Sequence, residues 1–97
     1  MELEHLRIFA AAAESGSFSR AAARLYISHS TVSRAVAALE TELDAVLFLR
    51  DSRGVALTGA GEELLLGGRE LLALSDGLKE RIAKREGEKI CKDGDGC

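Results

Sequence analysis

The hydrophobic positions between Glu2 and Glu14 recur at steps of three and four residues. This spacing predicts an amphipathic helix, whose buried face would carry Leu3, Leu6, Phe9, Ala10 and Ala13. Gly16 follows the segment and suits the left-handed conformation in which many helices end. The first segment is therefore expected to be a scaffold helix of the fold.

Two further helical patterns follow between Ser17 and Leu43, separated by a tight break at Tyr26–Ser28. In the first, Ser17 is placed as an N-cap, and the apolar side comprises Phe18, Ala21, Ala22 and Leu25. In the second, Ser28 is the predicted N-cap, and the residues expected to face inward are Val32, Val36, Leu39 and Leu43. Two short helices joined in this way predict a helix-turn-helix.

The outward side of the second of these helices is compact and polar. If its valines and leucines face inward, the residues that point outward are His29, Ser30, Ser33, Arg34 and Ala37. A helix that enters a DNA major groove needs short side chains and a few hydrogen-bond donors. No Asp or Glu occurs between Ser15 and Leu39, as a surface that meets phosphates requires. We therefore favour a recognition helix over an ordinary solvated helix.

Two short β-prone runs, 47–50 and 55–58, flank the polar segment 51–54. This pattern predicts a β-hairpin, and a small hairpin after a helix-turn-helix is a wing. Arg50 at its base and Arg53 at its tip are expected to reach the DNA backbone or the adjoining minor groove. An arginine on a hairpin is often only solvated, so these two roles depend on the helix that precedes them.

A last helix is predicted from Thr58, which is placed as its N-cap. Its apolar stripe has a coiled-coil-like spacing and consists of Leu64, Leu71, Leu74, Leu78 and Ile82. We favour dimerisation through this stripe over packing against the chain's own core. The predicted organisation is a DNA-binding domain over 1–58, a linker and dimerisation helix over 59–86, and a polar, disordered tail over 87–97.

Composition adds further expectations. The chain has 97 residues and a net charge of −3, and no apolar run approaches the length of a membrane span. The acidic N-terminus does not resemble a signal peptide, so we expect a cytoplasmic protein without a membrane partner. Cys91 and Cys97 suggest no disulfide framework, and His29 has no second metal ligand at helical spacing. Neither a cofactor nor an enzymatic activity is expected.

Residues 1 to about 85 resemble the N-terminal DNA-binding domain of LysR-type transcriptional regulators. The resemblance rests on Phe9, Gly16-Ser17-Phe18, Ala21-Ala22, Leu25, Ser28, Ser33-Arg34, Leu39-Glu40, Leu43, Leu47-Phe48, Arg50, Leu57-Thr58 and Gly61. It implies a mainly α fold: a winged helix-turn-helix, with three helices and a two-stranded wing, followed by a long linker helix that pairs two subunits. It also implies that the helix starting near Ser28 reads the major groove.

The chain departs from the family pattern in several places. His29-Ser30 stands where Gln followed by Pro or Ser is frequent, and Asp44 stands where a helix-ending Gly is common. The larger, effector-binding domain of the family has no counterpart, so no small-molecule effector site is expected in this chain.

The resulting hypothesis is a sequence-specific, homodimeric, DNA-binding transcriptional regulator. A tetramer stays open if the chain belongs to a longer protein. Ser30, Ser33 and Arg34 are predicted to contact base edges, and His29 is predicted to face the DNA. Ser28, Thr31 and Arg50 are predicted to hold phosphates, and Arg53 to serve the wing. The alternative is a winged-helix protein-interaction module that does not bind DNA.

Overall fold

The computed structural model describes the backbone of residues 1–92 and the side chains of residues 1–86. Four helices and one antiparallel two-stranded sheet follow each other in the order α1 (Leu3–Ser15), α2 (Phe18–Leu25), α3 (His29–Leu43), β1 (Phe48–Asp51), β2 (Gly54–Leu57) and α4 (Gly59–Lys92). The predicted winged helix-turn-helix with its long last helix is confirmed. α4 extends past residue 86 into positions that the sequence assigned to a disordered tail. The remainder of that predicted tail, 93–97, lies outside the described residues.

The breaks between the first three helices are made by left-handed residues followed by serine caps. Gly16 ends α1 with a φ of 70°, and Tyr26 ends α2 with a φ of 59°. The Ser17 Oγ accepts a hydrogen bond from the Arg20 backbone N–H at 3.2 Å, and the Ser28 Oγ accepts one from the Thr31 N–H at 3.1 Å. Each serine thereby satisfies an N–H group that has no partner within its helix. Both predicted caps are confirmed.

The three phenylalanines of the chain form the centre of the core. The Phe48 ring centroid lies 5.3 Å from that of Phe9 and 5.3 Å from that of Phe18. The other large side chains that are fully buried are Leu6, Val32, Val36, Leu39 and Leu47. No polar or charged residue is buried within the described part of the chain. The core therefore unites α1, α2, α3 and β1 through apolar contacts.

Two predicted core residues lie at the surface. Leu3 and Leu43 are 40% and 38% exposed, because each is at an end of its helix, beyond the packed middle. In α1, by contrast, Ile8, Ala11 and Ala12 are buried although they lie off the predicted face. This helix contacts α2, α3 and α4, so more than one of its sides is covered.

The wing is held against the turn between α1 and α2. The Val55 backbone N–H donates a hydrogen bond to the Gly16 carbonyl oxygen at 3.2 Å. Gly54 has a φ of 133°, and a Cβ at this position would lie 2.6 Å from the same oxygen. The hairpin pairs Phe48 with Leu57, and its strands are displaced by one residue from the predicted runs.

α4 is joined to the hairpin at its first turn. The Thr58 Oγ1 accepts a hydrogen bond from the Gly61 N–H at 3.0 Å and donates one to the Val46 carbonyl oxygen at 2.6 Å. The predicted Thr58 cap is confirmed. None of the helices in the described part of the chain has the length and apolar character needed to cross a bilayer.

Candidate nucleic-acid interface

α3 presents a polar, acid-free side at its N-terminal end. Val32, Ala35, Val36 and Leu39 are buried on the opposite side. Of the predicted contact residues, Ser28, His29, Ser30 and Arg34 are exposed, whereas Thr31 and Ser33 are half-buried. Ala37 is also exposed. The orientation predicted from the sequence is thus the one that the structure has.

Hydroxyl groups cluster at the start of α3. The Ser28 Oγ lies 2.8 Å from the Thr31 Oγ1 and 3.2 Å from the Ser30 Oγ. These oxygens surround the N-terminus of a fifteen-residue helix, where the aligned peptide dipoles favour an anion. The three side chains are therefore placed where a phosphate or an electronegative base edge would be stabilised.

The arginines between Ser15 and Leu39, where no acidic residue occurs, differ in whether they form an ion pair. The Arg24 guanidinium lies 3.0 Å from Glu14 Oε1, so an ion pair already occupies it. Arg20 and Arg34 are exposed, and the guanidinium group of neither forms a hydrogen bond or an ion pair within the described residues. Both guanidinium groups are therefore available to an incoming polyanion.

Phe18 connects the wing with the start of α3. The Arg50 guanidinium carbon lies 4.6 Å from the centroid of the Phe18 ring, a cation–π contact. The His29 ring centroid lies 6.1 Å from the same ring. Phe18 thus brings together two predicted contact residues from different elements. The sequence predicted it only as a core residue, because the pattern of α2 gives no sign of a contact with β1.

Arg53 lies in the turn between β1 and β2, with 91% of its side chain exposed. Asp51 Oδ1 accepts a hydrogen bond from the Arg53 backbone N–H at 2.7 Å, which shapes the turn. The Asp51 carboxylate lies as far as 3.9 Å from the Arg53 guanidinium, so this ion pair is weak and screened by solvent. The structure therefore presents Arg53 at the wing tip, as predicted, but separate from the cluster around Phe18.

The chain matches known proteins over this same region. The model of the family described as bacterial regulatory helix-turn-helix protein, lysR family, matches residues 3–62. This chain belongs to the LysR family. The regulator TfdT of Cupriavidus pinatubonensis is 47% identical over 74 residues, which cover 76% of this chain and 32% of that protein. The regulator ClcR of Pseudomonas putida is 44% identical over 87 residues, which cover 88% of this chain and 30% of that protein.

Solved structures of LysR-family DNA-binding domains share the fold. The crystal structure of the CbnR_DBD–DNA complex has a TM-score of 0.84 at 37% identity, covering 89% of this chain and 99% of that one. The BenM_DBD/catB site 1 DNA complex has a TM-score of 0.83 at 37% identity, covering 87% and 93%. The chain spans about a quarter to a third of the length of the curated relatives that it matches. The matched part of these LysR-family proteins is the one that contains the helix-turn-helix.

The stripe predicted for dimerisation is largely open on this LysR-family domain. Leu71, Leu74, Leu78 and Ile82 are between 45% and 67% exposed. Leu64 is half-buried and packs against the core. Where α4 passes the end of α3, an apolar groove of about 480 Å³ continues the stripe; its lining includes Leu43, Leu47, Leu64, Gly68 and Leu71.

Within the described residues, no group of three or more His, Cys, Asp or Glu side chains is placed to hold a metal ion.

Proposed function

We propose that this chain binds specific double-stranded DNA through the N-terminal half of α3, and that it regulates transcription as the DNA-binding part of a LysR-family protein. The observation that carries the proposal is found in the N-terminal half of α3, which has an apolar inner side and an acid-free outer side. On that outer side the guanidinium of Arg34 forms no ion pair within the described residues. Membership of the family and the likeness to solved protein–DNA complexes support it.

The proposed contacts follow from the position of each group. Arg34 lies about one and a half turns into α3, so its guanidinium would reach base edges, together with Ser30 and Ser33. His29 would face the same groove. The hydroxyl groups of Ser28 and Thr31, beside the α3 N-terminus, would accompany backbone N–H groups at a phosphate.

Arg50 and Arg53, both on the wing, would contact the DNA backbone beside the groove that α3 enters. Arg50 is held over Phe18, so one face of its guanidinium is covered while its N–H groups stay available at the edge. Arg53 extends from the wing tip, where it would reach a phosphate or the adjoining minor groove. Arg20 is exposed on α2, and its guanidinium forms no ion pair within the described residues, so it would contact the DNA backbone as well.

We infer that two copies associate through the stripe Leu71, Leu74, Leu78 and Ile82, with Leu64 at its edge. Four leucine or isoleucine side chains in succession on one helix, each at least 45% exposed, form an apolar surface that a monomer would leave in water. A two-fold dimer would present two α3 helices to successive major grooves about one helical turn apart. The protein would act in the cytoplasm, where bacterial DNA lies.

The test is a binding titration with mixed-sequence duplex DNA over a range of salt concentrations, followed by selection of bound sites from a random duplex pool. We expect the logarithm of the association constant to fall by roughly 0.9 per phosphate contact for each tenfold rise in salt. We also expect an enriched site with two related halves and a dimeric mass. Binding that lacks salt dependence, with no enriched sequence, would instead favour a protein-interaction module.

A further inference from the structure

Two ion pairs join α1 to α4. Arg7 Nη2 lies 2.7 Å from Asp76 Oδ1, and Arg69 Nη2 lies 3.1 Å from Glu14 Oε2. On each helix the two residues are nearly two turns apart and therefore share one face. We call these contacts the α1–α4 ion pairs.

The two helices carry the same order of charges, a basic residue followed seven positions later by an acidic one. Arg7 precedes Glu14 on α1, and Arg69 likewise precedes Asp76 on α4. The pairs therefore form only when the two helices run antiparallel. A parallel arrangement would bring Arg7 to Arg69 and Glu14 to Asp76, which are like charges. A shift of α4 by one turn along α1 would separate both pairs.

Close packing of the helices lies near these pairs. Gly68 is buried, and a Cβ added there would lie 3.3 Å from Leu6 Cδ2. The missing side chain lets the α4 backbone approach α1 closely. A single close contact would still allow α4 to rotate relative to α1. The ion pairs near the contact would restrict that rotation.

Glu14 extends the connection to α2. Its Oε1 lies 3.0 Å from Arg24 Nη2, while its Oε2 receives the hydrogen bond from Arg69. One carboxylate thus contacts the first helix of the helix-turn-helix and the linker helix together. The pKa of Glu14 lies below its ordinary value, chiefly because Arg69 donates a hydrogen bond to the ionised form.

From this geometry we propose that the α1–α4 ion pairs fix the direction in which α4 leaves the winged helix-turn-helix, and thereby the spacing between the two half-sites that a dimer reads. The second part of this statement rests on the proposed function. Arg7, Glu14, Arg69 and Asp76 are positioning residues in this scheme, not DNA contacts. Exposed ion pairs add little to stability, so a chain without them should still fold. In that chain α4 should no longer leave the winged helix-turn-helix in one fixed direction.

The first test measures that direction without DNA. Spin labels are placed at the exposed positions Ala23 and Ala83 in a protein carrying Cys91→Ser and Cys97→Ser, and unlabelled protein is added in excess so that only distances within one chain contribute. The variants Arg7→Asp and Asp76→Arg each place like charges together, and the double variant restores an opposite pair. We expect a narrow distance distribution in the parent, broad distributions in both single variants, and recovery in the double variant.

Several outcomes would overturn the proposal. If both single variants keep the parent's distance distribution, apolar packing alone sets the direction of α4. If the double variant stays as broad as the single ones, the charges do not act as a pair. A single variant that loses its helical circular dichroism is replaced by Glu14→Gln, which removes charge without adding repulsion and is judged by the same distribution.

The second test uses duplexes that carry two selected half-sites with spacers of every length over one helical turn. We expect the parent and the double variant to select one spacer, and the single variants to lose this preference while binding an isolated half-site as the parent does. Retention of one spacer by the single variants would contradict the proposal even though the protein binds DNA. Failure of the parent to bind any duplex would instead refute the proposed function and the spacing part with it, and the label distances would still decide the direction of α4.

Discussion

The guanidinium carbon of Arg50 lies 4.6 Å from the centroid of the Phe18 ring, so the first wing strand is held to the first helix of the helix-turn-helix by a cation–π contact. The same ring lies 6.1 Å from that of His29 at the start of α3. A wing side chain and the first residue of α3 therefore both pack against one aromatic ring. We expect Arg50 to be presented to DNA in a fixed position.

Replacing Arg50 with alanine should weaken binding to specific and mixed-sequence duplexes by a similar factor. The reason is that a phosphate contact carries no base information, and its loss should reduce the slope of affinity against salt by about 1. The control is Arg81→Ala, which removes an exposed charge from α4. Equal salt slopes for Arg50→Ala and the parent would remove Arg50 from the interface.

Replacing Arg34 with alanine should act differently, because its guanidinium is exposed on the outer side of α3 and forms no ion pair within the described residues. We expect the specific site to lose about 1–3 kcal/mol of binding free energy and discrimination to relax at one base pair. Binding to mixed-sequence DNA should change less. Site selection with the parent and the variant in parallel is the measurement, and identical enriched sites would show that Arg34 does not read a base.

The sequence predicted the helix-turn-helix well because its signals are local. Serine caps at Ser17 and Ser28 and the inward set Val32, Val36 and Leu39 each depend on residues within a turn or two, and all appear as expected. Leu43 satisfied the same periodicity yet lies 38% exposed. Periodicity gives the direction of a side chain, but it does not tell whether another element covers it.

The contacts that the sequence did not predict join residues far apart in the chain. Arg50 over Phe18, and Glu14 between Arg24 and Arg69, depend on how β1 and α4 pack against the first two helices. Likewise the extension of α4 to Lys92 overrides a polar, glycine-containing composition. Neither local propensity nor spacing carries this information.

Replacing Ser28 with alanine should destabilise the fold by about 1 kcal/mol, whereas Ser28→Gly should cost only a few tenths. The Ser28 Oγ accepts the Thr31 N–H hydrogen bond at the start of α3; alanine loses this bond, and so does glycine, but glycine adapts better to the non-helical cap conformation. Urea unfolding of both variants and the parent is the measurement. Equal destabilisation by the two substitutions would mean that cap conformation has no part in the effect.

The contribution of Glu14 to stability should depend on pH. Because Arg69 and Arg24 lower its pKa in the folded chain, the ionised carboxylate stabilises the fold at any pH above the ordinary carboxyl pKa. That contribution should be lost as the pH falls through the lowered value. At neutral pH the free energy of unfolding of the parent should therefore exceed that of Glu14→Gln by up to about 1 kcal/mol, as expected for exposed pairs. This difference should disappear in acid. A difference that grew in acid would contradict the assigned direction of the shift.

The glycines of α4 should respond to alanine in opposite ways. A Cβ at Gly67 would meet no atom within 4 Å, so alanine there should stabilise the chain by about 1 kcal/mol through its higher helix propensity. A Cβ at Gly61 would collide with the Leu47 carbonyl oxygen, where α4 meets the hairpin, and this overpacking should destabilise by about 1–3 kcal/mol. Gly68→Ala should fall between them, because its Cβ would meet only the end of the Leu6 side chain at 3.3 Å. Thermal unfolding of the three variants would test this order, and a Gly61→Ala chain as stable as Gly67→Ala would show that α4 does not begin against the Leu47 backbone.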